Sequence, residues 1–136
     1  MKNLLLTALF ALALVLTACS PAKPDISGGW KLVSYGDSAN PTPALPNVDA
    51  VIAFENGQLS GNFGCNGFGG EYQLNGDQIT FNGIMSTLMY CEETSAQEQG
   101  ALAILSDNAP LQIQLKADSL TIASADGASV VNLIRK

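Results

Sequence analysis

From residue 26 onward, apolar and polar residues alternate in short runs, and most runs end near a glycine, asparagine or proline. "WKLVSY", residues 30–35, carries aromatic and branched side chains and predicts a first strand. "GDSANPTPALPN", residues 36–47, holds three prolines and predicts a loop. "AVIAF", 50–54, and "QLSGNF", 58–63, predict two strands joined at "ENG", where Asn56-Gly57 tolerates positive φ and favours a hairpin. "EYQLN", 71–75, and "QITF", 78–81, form a second predicted pair around Asn75-Gly76-Asp77. "IMSTLMYC", 84–91, reads as extended or irregular. "LQIQL", 111–115, and "SLTIAS", 119–124, flank a tight turn at Ala117-Asp118, and Asp126-Gly127 precedes a closing strand "SVVNLI", 129–134.

Helical periodicity is convincing in one place after the N-terminal run, "TSAQEQGALAILSD", 94–107. Ser95 with Glu98 three residues later suggests a capping box, and Ala101, Leu102, Ile104 and Leu105 can form one apolar stripe. Gly100 weakens the helix by about 1 kcal/mol relative to alanine. Seven or eight short strands with one inserted helix predict a mainly β (α+β) domain: a single antiparallel sheet, curled or closed into a small β-barrel.

The N-terminus breaks the alternation. "LLLTALFALALVL", 4–16, is a continuous apolar run after Lys2. It is shorter than the roughly 20 residues of a membrane span and suits the core of an export signal. The run ends in "LTAC", 16–19, which resembles the lipobox of bacterial lipoproteins. That resemblance implies diacylglyceryl transfer to the Cys19 thiol, cleavage before Cys19 and a new acylated amino terminus. Residues 1–18 are then a lipoprotein signal peptide, 19–25 a lipid-anchored tether and 26–136 the folded domain. The tether, with two prolines in "SPAKPD", reaches about 20 Å at roughly 3.3 Å per residue. Ser20 stands after the cysteine, and in a two-membrane bacterium the sorting rules for such proteins imply the outer membrane, facing the periplasm.

Composition narrows the chemistry. From Cys19 onward there are five basic side chains, Lys23, Lys31, Lys116, Arg135 and Lys136, against twelve acidic ones. So acidic a surface disfavours nucleic acid and leaves membrane attachment to the acyl chains. The chain has no histidine, which removes Ser-His-Asp and Cys-His catalysis and histidine metal sites. Beyond Cys19 two cysteines remain, Cys65 and Cys91. They could be a disulfide, a buried pair of free thiols or a redox couple. An oxidising compartment and even parity favour the disulfide, and the lack of Cys-x-x-Cys spacing disfavours the redox couple.

Cys65 sits inside "GNFGCNGFGG", 61–70. A phosphate-binding glycine loop needs a helix N-terminus after it and usually a lysine; here a strand is predicted and no lysine is near. The glycines therefore read as structural, with Gly64, Asn66, Gly67 and Gly70 building a turn and close backbone contacts.

These residues carry a wider likeness. "GNFGCNGFGGEYQLNGDQITFNGIMSTLMYC" resembles the core signature of the META domain, also called the HslJ-type domain: a glycine-cysteine-asparagine turn, an aromatic shortly after it, a strand pair, then serine-threonine, methionine and a second cysteine. "GGWKLVSYGD", "VIAFENGQLSG", the helix after Cys91, "DSLTIASADG" and the last strand follow in the expected order. The resemblance implies a small β-rich domain of secreted or lipid-anchored bacterial envelope proteins, often linked to stress, with no established catalytic residues. The position between Thr87 and Met89, commonly basic in that family, is Leu88, so an anion-pairing role there does not carry over.

No catalytic residue, metal ligand or cofactor site is expected. Glu92-Glu93 would favour the N-terminus of the following helix, and neither they nor Glu71 and Asp77 are spaced as a glycosidase pair. Trp30, Tyr35, Phe54, Phe63 and Phe81 read as core, with an aromatic ligand-binding mouth as the sharper alternative. The expected function is a monomeric, non-catalytic, lipid-anchored envelope module that binds an envelope protein or ligand. The alternative is a carrier of a small apolar ligand in the barrel. A cavity along the barrel would favour the carrier; a filled interior with an exposed apolar patch would favour protein binding.

Overall fold

The alternating runs pair with their neighbours in chain order until the sheet meets itself. The computed structural model describes residues 23–105 and 108–136. The expected signal segment, 1–18, and the expected lipidation site, Cys19, lie outside the described residues. The strands are β1 (Gly28–Asp37), β2 (Thr42–Pro43), β3 (Val51–Glu55), β4 (Gln58–Asn62), β5 (Gly67–Asn75), β6 (Gln78–Ser86), β7 (Pro110–Lys116), β8 (Ser119–Ala123) and β9 (Ser129–Arg135), with one helix, α1 (Ser95–Ile104), between β6 and β7. Eight strands close an antiparallel barrel in the order β1-β3-β4-β5-β6-β7-β8-β9, because β9 returns to pair with β1 from Trp30↔Arg135 to Asp37↔Ser129. The short β2, in the proline-rich loop, pairs beside Ser34 and Tyr35 of β1. Its Pro43 is tolerated as on any edge strand. Among the described residues no helix is long and apolar enough to cross a membrane.

Two irregularities curl the sheet. Val33 is an extra residue in β1 between the pairs Leu32↔Leu133 and Ser34↔Asn132. In β6, Gly83 and Ile84 together oppose Gly70 of β5, and Gly83 has φ +60°. A glycine in the left-handed region is what this kind of bulge requires. Gly70 is glycine for a matching reason: an added Cβ would lie 3.0 Å from the Asn82 carbonyl oxygen and 3.2 Å from Ile84 Cα. Gly67 and Gly70, expected in a turn, are therefore strand residues of β5, and only Gly64 and Asn66 of that group lie in the turn.

Every second side chain of the strands points inward. Trp30, Phe54, Phe63, Phe81, Ile79, Leu120 and Ile122 are fully buried. Phe54 packs edge-on against Tyr72, with ring centroids 5.2 Å apart, and roughly parallel to Phe81. The aromatic residues expected in the core are there, except that Tyr35 is half-buried and lies against α1. An added Cβ at Gly100 would sit 2.6 Å from the Tyr35 ring, so this glycine lets the helix settle onto β1.

The barrel has two unlike ends. One end, called the tether end after the tether expected at residues 19–25, holds residues 23–27, Lys136 and the turns at 56–57, 76–77 and 117–118. There the Arg135 guanidinium stacks 4.4 Å from the Trp30 ring and donates to the carbonyls of Ser27 and Asp25, while the Lys136 amide donates to the Gly29 carbonyl. The helix end holds the longer connections, 38–50, 63–66, 87–94 and 124–128, with α1 across the opening.

Candidate functional site

The helix end is organised around Glu98. Its carboxylate accepts from the Cys65 amide, from the Asn66 amide at 3.2 Å, from the Asn66 side-chain amide at 2.7 Å and from the Thr94 hydroxyl at 3.0 Å. Burial pushes the Glu98 carboxyl up, but these hydrogen bonds, led by that of the Asn66 side chain, outweigh it and hold the group below its ordinary value. The carboxylate is thus ionised, with three structural donors on one oxygen and one on the other, and it forms part of the wall of a groove beside α1.

The expected capping box does not form. Thr94 is the N-cap, in helical rather than extended conformation, and makes no side-chain cap hydrogen bond. Ser95 instead donates to the Glu92 carbonyl at 3.3 Å. Glu98 leaves the box because the Cys65 and Asn66 amides of the turn present it with better-buried partners. Gly64 makes that approach possible: a Cβ there would lie 2.5 Å from Thr94 Cβ and 2.8 Å from a Glu98 oxygen. The helix is also shorter than the predicted 94–107, ending at Ile104.

Asn66 carries the arrangement outward. Its side-chain oxygen accepts from the Thr87 hydroxyl at 2.8 Å and the Met89 amide at 2.7 Å, and its amide also donates to the Met89 carbonyl at 2.9 Å. Cys65 and Cys91 form a disulfide between the same two segments. Segment 87–91 is therefore held at both its backbone and its cysteine. It turns Leu88, Tyr90 and Met89 to solvent at 96%, 81% and 59% exposure, while Met85, also exposed, lies on the β6 wall beside Gly69 and Gly70. Between this segment and α1 runs an open groove of about 570 Å³, lined by Thr87, Leu88, Met89, Gln99 and Leu102 among others.

Sequence reasoning missed two residues here. Gln97 is 1% exposed; its amide nitrogen donates to the Phe63 carbonyl at 2.5 Å and its oxygen accepts from the Leu45 amide at 2.7 Å. Its helical spacing to Ala101 and Ile104 was the available signal, since four and seven residues on is the same face. Leu88 was noticed only as a departure from a family pattern, while the structure makes it the most exposed large apolar side chain of the described residues. Glu71 and Asp77 lie on β5 and in the turn after it, apart from this site. Among the described residues no group of three or more histidine, cysteine, aspartate or glutamate side chains is placed to hold a metal ion.

The fold has relatives among solved structures. An NMR structure of a protein from Burkholderia xenovorans superposes with a TM-score of 0.64 at 19% identity, covering 81% of this chain and 82% of that one. The crystal structure of a DUF4847 family protein from Bacteroides vulgatus superposes with a TM-score of 0.60 at 17% identity, covering 81% of this chain and 93% of the other. At these identities the likeness is one of fold. No curated protein is similar enough in sequence to add a named relative. The family model of the META domain matches residues 24–136, which takes in the whole barrel, the helix and the cysteine-linked turn, and the chain belongs to the META domain family.

Proposed function

We propose that the protein is a lipid-anchored module of the bacterial envelope that binds an envelope component without catalysing a reaction. One observation carries the reading: the barrel axis is filled by Trp30, Phe54, Phe63 and Phe81, while apolar side chains are displayed at the end remote from the tether. Large exposed apolar patches on soluble domains mark interaction sites. The four hydrogen bonds to the Glu98 carboxylate and the bonded cysteines support a structural use of the reactive groups at this end. Acylation at Cys19 would concentrate the domain at the membrane, most simply the outer membrane on its periplasmic side. The second reading, carriage of a small apolar ligand, would have to use the open groove beside α1 in place of the barrel interior.

The test pairs two photo-crosslinking positions in cells, Leu88 and Thr121, the latter on the barrel wall. Discrete adducts from Leu88 and none from Thr121 are expected. Purified residues 20–136, screened with hydrolase and thiol-oxidoreductase substrates, should show no turnover. Turnover that vanishes on replacing Glu71, Glu92 or Cys65 in a folded protein would overturn the reading. Cys19→Ala should block processing or release the protein from the membrane fraction; normal processing and retention would remove the lipid anchor from it.

A further inference from the structure

Basic charge is sorted along the barrel, whereas acidic charge occurs at both ends, with Asp25, Glu55, Asp77 and Asp118 at the tether end. Lys116, Arg135 and Lys136 lie at the tether end, Lys23 lies in the tether, and Lys31 is in the tether-side half of β1. No lysine or arginine occurs in any connection at the helix end or in α1, although the Lys136 ammonium reaches Asp49 of the 38–50 connection at 3.0 Å. Acidic side chains do occur there: Asp37 ends β1, Asp126 lies in the 124–128 loop, and Glu92 and Glu93 follow Tyr90 directly after the disulfide cysteine, all four exposed.

Resting on the binding reading above, we propose that the helix end receives a polypeptide segment that presents a bulky apolar side chain beside lysine or arginine. The apolar part is matched by Leu88, Met89, Tyr90 and Leu102 along the groove. Unbranched methionines fill irregular gaps and adapt to different apolar guests. The cationic part is matched by Glu92 and Glu93, in a neighbourhood with no basic residue to compete for them. A partner carboxylate would be repelled from the same place, so charge sets which apolar segments are admitted. The loop is also built in advance. The Asn66 hydrogen bonds and the disulfide hold it outward, so binding does not spend free energy on ordering it.

The other occupants of such a face fit less well. An anionic membrane surface is repelled by the acidic end, and the anchor leaves from the opposite end. A second copy would bring the same negative charge against its own kind.

The test uses residues 20–136, which contain every core side chain from Ile26 to Leu133. Two short fluorescent peptides of equal apolar content are compared, one with lysines and one with glutamates at the same places. The lysine peptide should bind about tenfold tighter or better. Leu88→Ser with Met89→Ser, both at exposed positions, should weaken it about tenfold. Glu92→Gln with Glu93→Gln should weaken it about threefold and flatten its salt dependence. Equal binding of the two peptides, absence of binding, or indifference to the Leu88/Met89 double variant would overturn the proposal. Stronger binding to neutral or anionic vesicles, or a dimer that the same double variant dissolves, would overturn it in favour of a membrane or a second copy. Leu88 adducts in cells together with equal peptide binding would sink the charge preference and leave the binding reading standing; loss of both results would sink both.

Discussion

The two ends of the barrel are built by different physics. At the tether end, neighbouring strands are joined by two-residue turns, and local conformation is enough to specify them. Asn56 and Gly57 take φ +50° and +80°, and Gly76 takes +62°. At the helix end the chain travels through long connections held by contacts between residues far apart in sequence. Glu98 meets Cys65 and Asn66 over 33 and 32 residues, and Gln97 meets Leu45 over 52. The first end joins strands that are neighbours in the chain at little cost in loop entropy. The second pays that cost, and what it gains is a fixed, exposed, chemically distinctive surface.

The sharpest way to break this contrast is to remove the disulfide. For a sequence separation of 26, chain entropy gives about 3.5 kcal/mol. Cys65→Ala with Cys91→Ala should lower unfolding stability by roughly that amount in urea denaturation. Hydrogen exchange should quicken in 63–66 and 86–98 well before it quickens in the tether-end hairpins. Uniform acceleration at both ends would erase the distinction.

Glu98→Gln is expected to cost about 2 kcal/mol, because buried amides lose a charged acceptor. Its pH dependence identifies the cause. The folded carboxyl titrates below its ordinary value of 4.5, so the stability that it contributes is full above that value and is lost as pH falls through the lower folded value. The gap between wild type and Glu98→Gln should therefore be constant at neutral pH and shrink below pH 4.5. A gap that stays constant into strong acid would exclude the charge as its source.

Gly100→Ala tests whether helix propensity or packing governs the helix end. Propensity alone predicts a gain of about 1 kcal/mol. With the new methyl 2.6 Å from the Tyr35 ring, a net loss of about 1 kcal/mol is expected by thermal unfolding. The smallest effect belongs to the tether end. Ala117 holds φ +49° in the β7–β8 turn, so Ala117→Gly should stabilise the protein by about 0.5 kcal/mol. A loss there would mean that the turn is governed by something other than its own backbone.

Most of the barrel was legible in the chain itself. Period-two alternation marks which side chains face inward, and the short turns mark which strands must be neighbours; both are local properties. Trp30, Phe54 and Phe81 could be assigned to the core from their places in strands, and they are there. The bulges were less visible. Gly70 and Gly83 look like loop residues, since a glycine in a strand differs from one in a turn only by what lies opposite it.

The site was legible in its residues and not in its arrangement. Cys65, Cys91, Asn66 and Glu98 all stood out, but Glu98 was assigned to the helix N-terminus because a capping box is the nearest partner that a sequence can offer. Only closure of the sheet brings the 63–66 turn against α1, and only then do buried amides outcompete a local cap. The same closure decides that Leu88, Met89 and Tyr90 face solvent. A run of apolar residues names no direction by itself; here the core was already full, and the Asn66 bonds and the disulfide turned the run outward.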